Sequence, residues 1–590
     1  MELRLRTLTP FHIGNGEHLS PLEYVIGNQT YYRLDEKTFS RFLSGVSPEA
    51  PKSFAAWITE KYREISRFDI EFAGHDKEFQ RQNKKDYNQA FSDLRLSATP
   101  LAFCKEENKE EDLLRFLERE KVIKARVNTR DLVKSQVNES LKNGLKQPYL
   151  PGSSIKGAIR TALLYHWLTQ HGKKSEIKKL VESQLHGKTK DTAMDDTLEA
   201  AAFYCEALEN GKSLFDEARY DLFKLLMLSD AHLTTPENAL ELADIKAYVK
   251  ERSKTAKGKV EFEAVEQRQP PFVEAVSAGL ELSAEMNFNI EFLYAIKENI
   301  PAPNQAIKVA KNQYWKELAD KIKAVFGLDM AELDKIREID PDLRKVQLDK
   351  LREGVHQHIL NCLKVFAQRQ LEADRQWLDG FIKVDKKGVF GLRMQAGWAP
   401  LILRHDLPLL HLGFGAGFRA TTALLYFLQD KGMKETFERV MSRFYLGLTP
   451  KLKGDRNARE KYQPNATFFP KSKRLIRKED AIIPPGWLLI GDDLNPEQLI
   501  EAETGAAPIS AEPEFFQGQI NQKRPPELDA VVVKPGNPNQ VKVFFTPGKT
   551  MELPLQAYRS PLEEGAVIVV QSQVDKKGNL ISVSFRRFKK

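Results

Sequence analysis

Lys156 and Arg160 stand four residues apart at the start of a helix predicted directly after Pro151-Gly152-Ser153-Ser154. Cations are usually kept from a helix N-terminus, where unpaired N–H groups and the macrodipole already present partial positive charge. Two of them on one face, beside open backbone donors, form a seat for phosphate. Ser153 or Ser154 is placed to cap the helix, and Ile155, Ile159, Leu163 and Trp167 form its buried stripe. Gly152 and Gly157 have the outer spacing of a P-loop, but Ala158-Ile159 replaces the Lys-Ser/Thr it requires. A nucleophile elbow needs glycine two positions after Ser154, where Lys156 stands. Both readings fail, and an ordinary tight turn with solvated cations is the remaining competitor.

The pattern recurs. Gly413, Gly415 and Gly417 precede a predicted helix whose first turn carries Arg419. The third glycine comes too early for a dinucleotide-binding fingerprint. Two permissive loops with cations point to repeated backbone phosphates rather than one nucleotide. Downstream, Lys471, Lys473, Arg474, Arg477 and Lys478 interleave with Phe468 and Phe469, and the tail Ser584–Lys590 alternates rings and cations in the same way. Cations that neutralise phosphates beside rings that stack on bases suit single-stranded nucleic acid.

Catalytic candidates are sparse. His12, next to Gly14 and Gly16, could serve general acid–base chemistry on RNA without a metal, although such a histidine is more often a buried loop residue. His356 and His358 are two apart and face different sides of a helix, so the pair predicts no metal site. His405-Asp406, Asp195-Asp196 and Asp230 have no evident partners. No catalytic constellation, metal or cofactor is predicted.

A chain of 590 residues, 41% hydrophobic and 29% charged with net charge +8, is basic only in local patches. Cys104, Cys205 and Cys362 are scattered without CxxC spacing, which suits a reducing compartment. No apolar leader or membrane-length run occurs, so a soluble cytoplasmic protein is expected. Leu3, Leu5 and Thr7 alternate as in a strand, residues 21–34 read as a hairpin turning at Gly27-Asn28, and Asp35 caps a short helix closed by Gly45. An α+β fold follows, with helices on one face of an antiparallel sheet. Its core is expected over residues 1–294, with helical insertions at about 48–146 and 170–255. A charged helical insertion over 295–385, a second part of the core over 386–500 and a linker over 501–526 come next. "GVFGLRM" reads as a strand, and the residues after Gly417 as one helix. Residues 527–590 hold about five short strands, a small barrel of OB-like or SH3-like type.

The ordered stretches "LRTLTPFHIGNGEHLSPLEYVI", "LPGSSIKGAIRTALL", "DLFKLLMLSDAHL", "FVEAVSAGLEL", "GFGAGFRATTALL", "FFPKSKRLI" and "PPGWLLIG" resemble the RAMP superfamily of CRISPR-associated RNA-binding proteins. Within it they resemble the family of fifth Csm subunits of type III-A interference complexes. The resemblance implies a ferredoxin-like, RRM-type core with helical insertions. It implies a non-catalytic subunit capping a filament at the 3′ end of the crRNA and contributing to crRNA maturation in antiviral defence. Implied partners are crRNA, target RNA and other Csm-type RAMP subunits. Sibling subunits cleave with an aspartate in an early loop; here Gly14-Asn15-Gly16-Glu17 offers only Glu17. The alternatives are a metal-independent endoribonuclease using His12, or a platform recruiting host nucleases through the C-terminal barrel.

Overall fold

Leu3, Leu5 and Thr7 are buried along the strand Glu2–Thr7, as their alternation with Glu2, Arg4 and Arg6 requires. That strand lies antiparallel between Glu281–Phe288 and Trp487–Ile490, with Leu5 opposite both Leu282 and Ile490. The sheet runs Leu409–His411, Trp487–Ile490, Glu2–Thr7, Glu281–Phe288, Ala231–Leu233, Tyr149–Leu150. The helix Gly152–Gln170 buries Ile155, Ile159 and Leu163 in the same core as Leu3, Leu5 and Leu282. A second sheet runs Ile482–Ile483, Ser472–Arg477, Leu240–Lys254, Phe272–Val276, Val137–Ser140, Gly14–His18. Residues 8–13 carry the chain from the first sheet to the second. The computed structural model describes residues 1–588 apart from several stretches, the longest being 127–136, 186–192, 215–220, 294–304, 492–526 and 557–566. The expected linker over 501–526 therefore lies outside the described residues.

Several expectations need correction. The hairpin Tyr24–Gly27/Thr30–Arg33 turns at Asn28-Gln29, both at positive φ (51° and 61°), so Gly27 is the last residue of its strand. The hairpin pairs with Lys124–Arg126 in a separate three-stranded sheet, not in the main ones. Asp35 does cap the next helix, accepting from Thr38 N at 2.7 Å, but that helix passes Gly45 and ends at Ser47. The stretch 170–255 is not mostly helical. After Lys174–Ser183 and Ala193–Phe203 it holds Leu226–Leu228, Ala231–Leu233 and the 15-residue strand Leu240–Lys254. That strand is rich in Ala, Lys and Glu, yet pairing with Phe272–Val276 and Val260–Gln267 along one edge and with Ser472–Arg477 on the other outweighs its local preference.

"GVFGLRM" opens the helix Gly391–Ile402, because the Asp385 carboxylate accepts from the N–H groups of Phe390 (2.7 Å) and Gly391 (3.2 Å). The single helix expected after Gly417 is two short ones, Phe418–Thr421 and Leu424–Phe427, separated by extended Thr422, followed by Lys431–Phe444. In the third charged block, Pro341–Ile382 is one helix of 42 residues, roughly 63 Å long at the usual rise. Val355, Ile359, Leu363 and Phe366 put it in the main core beside the Gly152–Gln170 helix.

Residues 1–491 and 492–590 form separate compact units. The second is a closed barrel of Glu527–Lys534, Gln540–Thr546, Lys549–Gln556, Val567–Val574 and Leu580–Phe588 around Val532, Val541, Val543, Ile568 and Val583. Its order is first, second, third, fifth, fourth, with the fourth strand closing on the first and a parallel pair between third and fifth.

The start of the Gly152–Gln170 helix is set by a close approach. Gly152 N donates to Asp230 Oδ1 at 2.8 Å, and a Cβ on Gly152 would sit 2.5 Å from the Ser229 carbonyl oxygen. Gly152→Ala should therefore destabilise this unit by about 1–3 kcal/mol. Urea unfolding beside the wild type checks it, and an unchanged midpoint would mean that the backbone yields at no cost.

Candidate nucleic-acid interface

His12 lies in the segment that joins the two sheets and is 3% exposed. Its Nδ1 is 2.7 Å from the Glu274 carbonyl oxygen, which can only accept, so Nδ1 carries the proton. Burial, partly offset by that hydrogen bond, lowers its pKa from the ordinary histidine value. Nε2 faces the following loop, where a Cβ on Gly14 would lie 3.0 Å away. The Glu274 carboxylate is held by Arg33 Nε (2.8 Å) and Lys142 Nζ (2.7 Å). Lys142 also grips Glu139, which accepts from Asn15 at 3.0 Å and so pins the exposed 14–18 strand.

The glycine loop after Leu409–His411 meets this segment. Phe414 N donates to His12 O at 2.8 Å. Gly413 has φ 81°, and a Cβ there would stand 2.8 Å from the same oxygen. Gly415 is required on both counts as well: its φ is 99°, and a Cβ would meet the Pro485 ring at 2.6 Å. His12, Gly14, Gly16, Glu17, His18, Asn138, Gly413 and Phe414 line a cleft of about 460 Å³. Phe414 is half-buried against Ile245, Val273 and Ile476, and the exposed Arg474 lays its guanidinium 4.6 Å from the ring centre. A larger, shallower groove of about 710 Å³ along Ala50–Gly74 gathers neither a histidine nor an acid.

The structure thus brings together His12, Gly14, Gly16, Gly413, Gly415 and Arg474 and turns the cations Lys156, Arg160, Arg419 and Lys473 to partners within the protein. No serine side chain caps the Gly152–Gln170 helix: Pro151 is the N-cap residue, Ser153 and Ser154 lie inside the first turn, and the anion at the helix start is Asp230. Lys156, beside the exposed Gly157, donates to the Leu226 carbonyl at 2.6 Å. Arg160 bonds Glu199 (2.5 Å) and Asp221 (2.8 Å) between the rings of Phe203 and Phe223. Both cations hold the helix to its neighbours, which corrects the phosphate seat expected there. Asp195 likewise has a partner: it accepts from Ala423 N, and burial pushes it up to about 6.

Arg419 is corrected in the same way. It is 4% exposed and donates to the carbonyls of Ala373 (2.6 Å) and Phe469 (3.2 Å). Lys473, predicted as a surface cation, bonds the Asp374 carboxylate at 2.6 Å, with Arg419 3.6 Å from the same oxygen. Asp374 is 1% exposed; burial alone would raise it, but Lys473 and Arg419 hold it below the usual carboxylate range. One helical turn away, Gln370 Nε2 donates to His411 Nδ1 at 2.7 Å, and His411 Nε2 donates to the Pro485 carbonyl at 3.0 Å. The ring of His411 stacks on Trp487 at 4.2 Å. Gln370 and Asp374 therefore brace both ends of the glycine loop from one helix. Lys471 is exposed, Arg477 pairs with Glu266 (3.0 Å) and Lys478 with Glu241 (3.0 Å). The rings and cations after Ser584 lie outside the described side chains.

A profile of the RAMP superfamily matches residues 4–326. The chain belongs to the RAMP superfamily. It is 27% identical over 165 residues to the CRISPR system Cms protein Csm5 of Streptococcus thermophilus, across 28% of this chain and 37% of that relative. The match thus spans little more than a third of the relative's length. Two solved structures are also similar. One is from the cryo-EM structure of a Csm–crRNA–target RNA ternary complex of a type III-A CRISPR-Cas system, 18% identical, covering 83% of this chain and 100% of that one with a TM-score of 0.45. The other is the crystal structure of T. onnurineus Csm5, 15% identical, covering 82% and 99% with a TM-score of 0.37.

In this RAMP protein the cleft residues that sequence reasoning missed are Ile13, Phe414, Asn138 and His18, supported by Glu274 at His12 and by Gln370 and Asp374 at the glycine loop. Only Phe414 carried a local signal, a ring set between two glycines. Asp374→Asn leaves two buried cations without their counter-charge and should cost about 3–5 kcal/mol in urea unfolding. A loss below ~1 kcal/mol would show that water, not Asp374, balances them. His411 is brought down to about 3, chiefly by burial, so the folded state stays neutral where the unfolded chain takes up a proton. The unfolded state binds the extra proton below about pH 6.5, and stability falls on acidification by up to about 1.4 kcal/mol per pH unit from this group. Between about pH 7 and pH 5, His411→Gln should show a shallower loss of unfolding free energy than wild type.

Proposed function

We propose that this RAMP protein is a non-catalytic guide-RNA-binding subunit of a type III-A CRISPR ribonucleoprotein. It caps the subunit filament at the 3′ end of the crRNA and contributes to crRNA maturation in antiviral defence. The observation that carries the reading is Phe414, held between glycines with Arg474 over its ring at the mouth of the cleft. A ring offers a base a stacking face, a guanidinium neutralises the adjoining phosphate, and glycine lets the strand approach the backbone closely. Membership of a superfamily that includes CRISPR-associated RNA-binding proteins supports it, as does the similarity to Csm5. The core is then a ferredoxin-like, RRM-type unit and the C-terminal barrel an OB-like one, judged by its strand order. Partners are crRNA, target RNA and neighbouring RAMP subunits in the cytoplasm, with host nucleases as clients of the barrel.

The endoribonuclease alternative asks His12 to exchange protons with substrate. Its Nδ1 is fixed on a backbone carbonyl and its neighbouring carboxylate is held by two cations, which suits a residue that shapes the cleft.

Fluorescence anisotropy with a labelled guide RNA across a salt series tests the reading. Arg474→Ala should flatten the log–log salt slope by about one phosphate contact. Phe414→Ala should weaken binding roughly tenfold or more through lost stacking, and Lys156→Met should leave the slope unchanged. Binding by both cleft variants equal to wild type would overturn it. Guide cleavage in EDTA that His12→Ala abolishes would replace it with the nuclease.

A further inference from the structure

His358 and Cys362 stand four apart on the Pro341–Ile382 helix and share a face, which packs against the Gly152–Gln170 helix at His166. The ligating atoms of His166, His358 and Cys362 all lie within 4.8 Å of one another. Cys362 Sγ is 3.5 Å from His358 Nε2. Around a tetrahedral zinc ion, with Zn–S of about 2.3 Å and Zn–N of about 2.0–2.1 Å, the sulfur-to-nitrogen edge is about 3.5 Å. The His166 ring meets that of His358 edge-on at 5.0 Å, and that of His171, just past the helix end, at 5.9 Å. Two imidazoles and a thiol thus converge on one point between two helices, with the third imidazole, His171, beside them at the helix end.

We propose that His166, His358 and Cys362 bind a zinc-like divalent cation, with His171 turning in from the exposed rim as the fourth ligand. Two features of the surroundings fit this. Gly327, at φ 69°, lets the preceding turn close over the cluster, since a Cβ there would stand 2.8 Å from His358 Nδ1. Burial and the neighbouring imidazoles also bring His166 down to about 4, and burial lowers His358, so both rings present the neutral form a metal takes. Nε2 of His358 also lies 3.1 Å from the Val325 carbonyl, and ligation exchanges that hydrogen bond for the metal. The role is a cross-link. It joins the helix behind the first sheet to the one that braces the glycine loop through Gln370 and Asp374, eight to twelve residues further along. His356, which drew attention in the sequence, takes no part, and the spacing that matters is His358-x-x-x-Cys362.

Cobalt titration of the tag-free full-length chain, stripped with chelator and dialysed, tests the site. Wild type should take up one Co²⁺ with a thiolate-to-cobalt charge-transfer band and tetrahedral ligand-field bands, all displaced by Zn²⁺. Cys362→Ala should lose the charge-transfer band, and His166→Ala should weaken uptake at least about tenfold. No such spectrum in wild type, or a charge-transfer band that survives Cys362→Ala, would overturn the proposal. Peptide mapping of iodoacetamide labelling in wild type gives a readout free of any folding defect. Zn²⁺ should slow modification of Cys362, and an unchanged rate counts against the site.

Discussion

The carboxylate of Glu274 is the point from which the candidate interface is built. It sits 1% exposed on the Phe272–Val276 strand and is held by Arg33 from the hairpin sheet, by Lys142 and by the N–H of Ser140. Its own carbonyl fixes the tautomer of His12. A buried carboxylate without its cations would be several kcal/mol out of place, so these elements are bound to assemble together or not at all. The 14–18 strand, the crossover segment and the hairpin thereby share one geometry. The cleft is the space left between that assembly and the glycine loop.

The glycine loop is held from the opposite side by a second buried carboxylate, Asp374, and by Gln370 one turn before it. Glycines at positive φ allow the loop to press against the His12 segment and Pro485 but contribute nothing to hold it there. Rigidity has to come from outside the loop. Arg419 and Lys473 supply it by facing inward, so cations that look like phosphate ligands in a basic segment act as struts. Phe414 and Arg474, on the loop and on the neighbouring sheet, are left presenting a ring and a charge at the cleft.

The helix at Gly152 follows the same logic. Free N–H groups at its start and two cations in its first turns do call for an anion, as elementary electrostatics demands. The protein supplies it internally through Asp230 at the helix start, with Glu199 and Asp221 on Arg160. An acid more than sixty residues away in sequence can satisfy a helix terminus as well as a ligand can. One chain read in isolation carries no sign of which it will be.

The α+β class, the first strand, the Asp35 cap, the apolar stripe of the Gly152–Gln170 helix and the five strands of the barrel were legible in the amino-acid order. Each depends on periodicity, capping or turn chemistry within a few residues. The strand Leu240–Lys254 and the helix Gly391–Ile402 were not, because cross-strand pairing and the Asp385 cap outweighed local preference. Of the predicted site, His12 and the two glycine loops were visible as residue types, yet only the tertiary structure placed His12 against Gly413 while turning Lys156, Arg160, Arg419 and Lys473 into the protein. Whether a cation faces solvent or a buried acid depends on partners brought close by folding from distant parts of the chain. Long-range pairing of charge is a property of three dimensions, and local sequence holds no record of it.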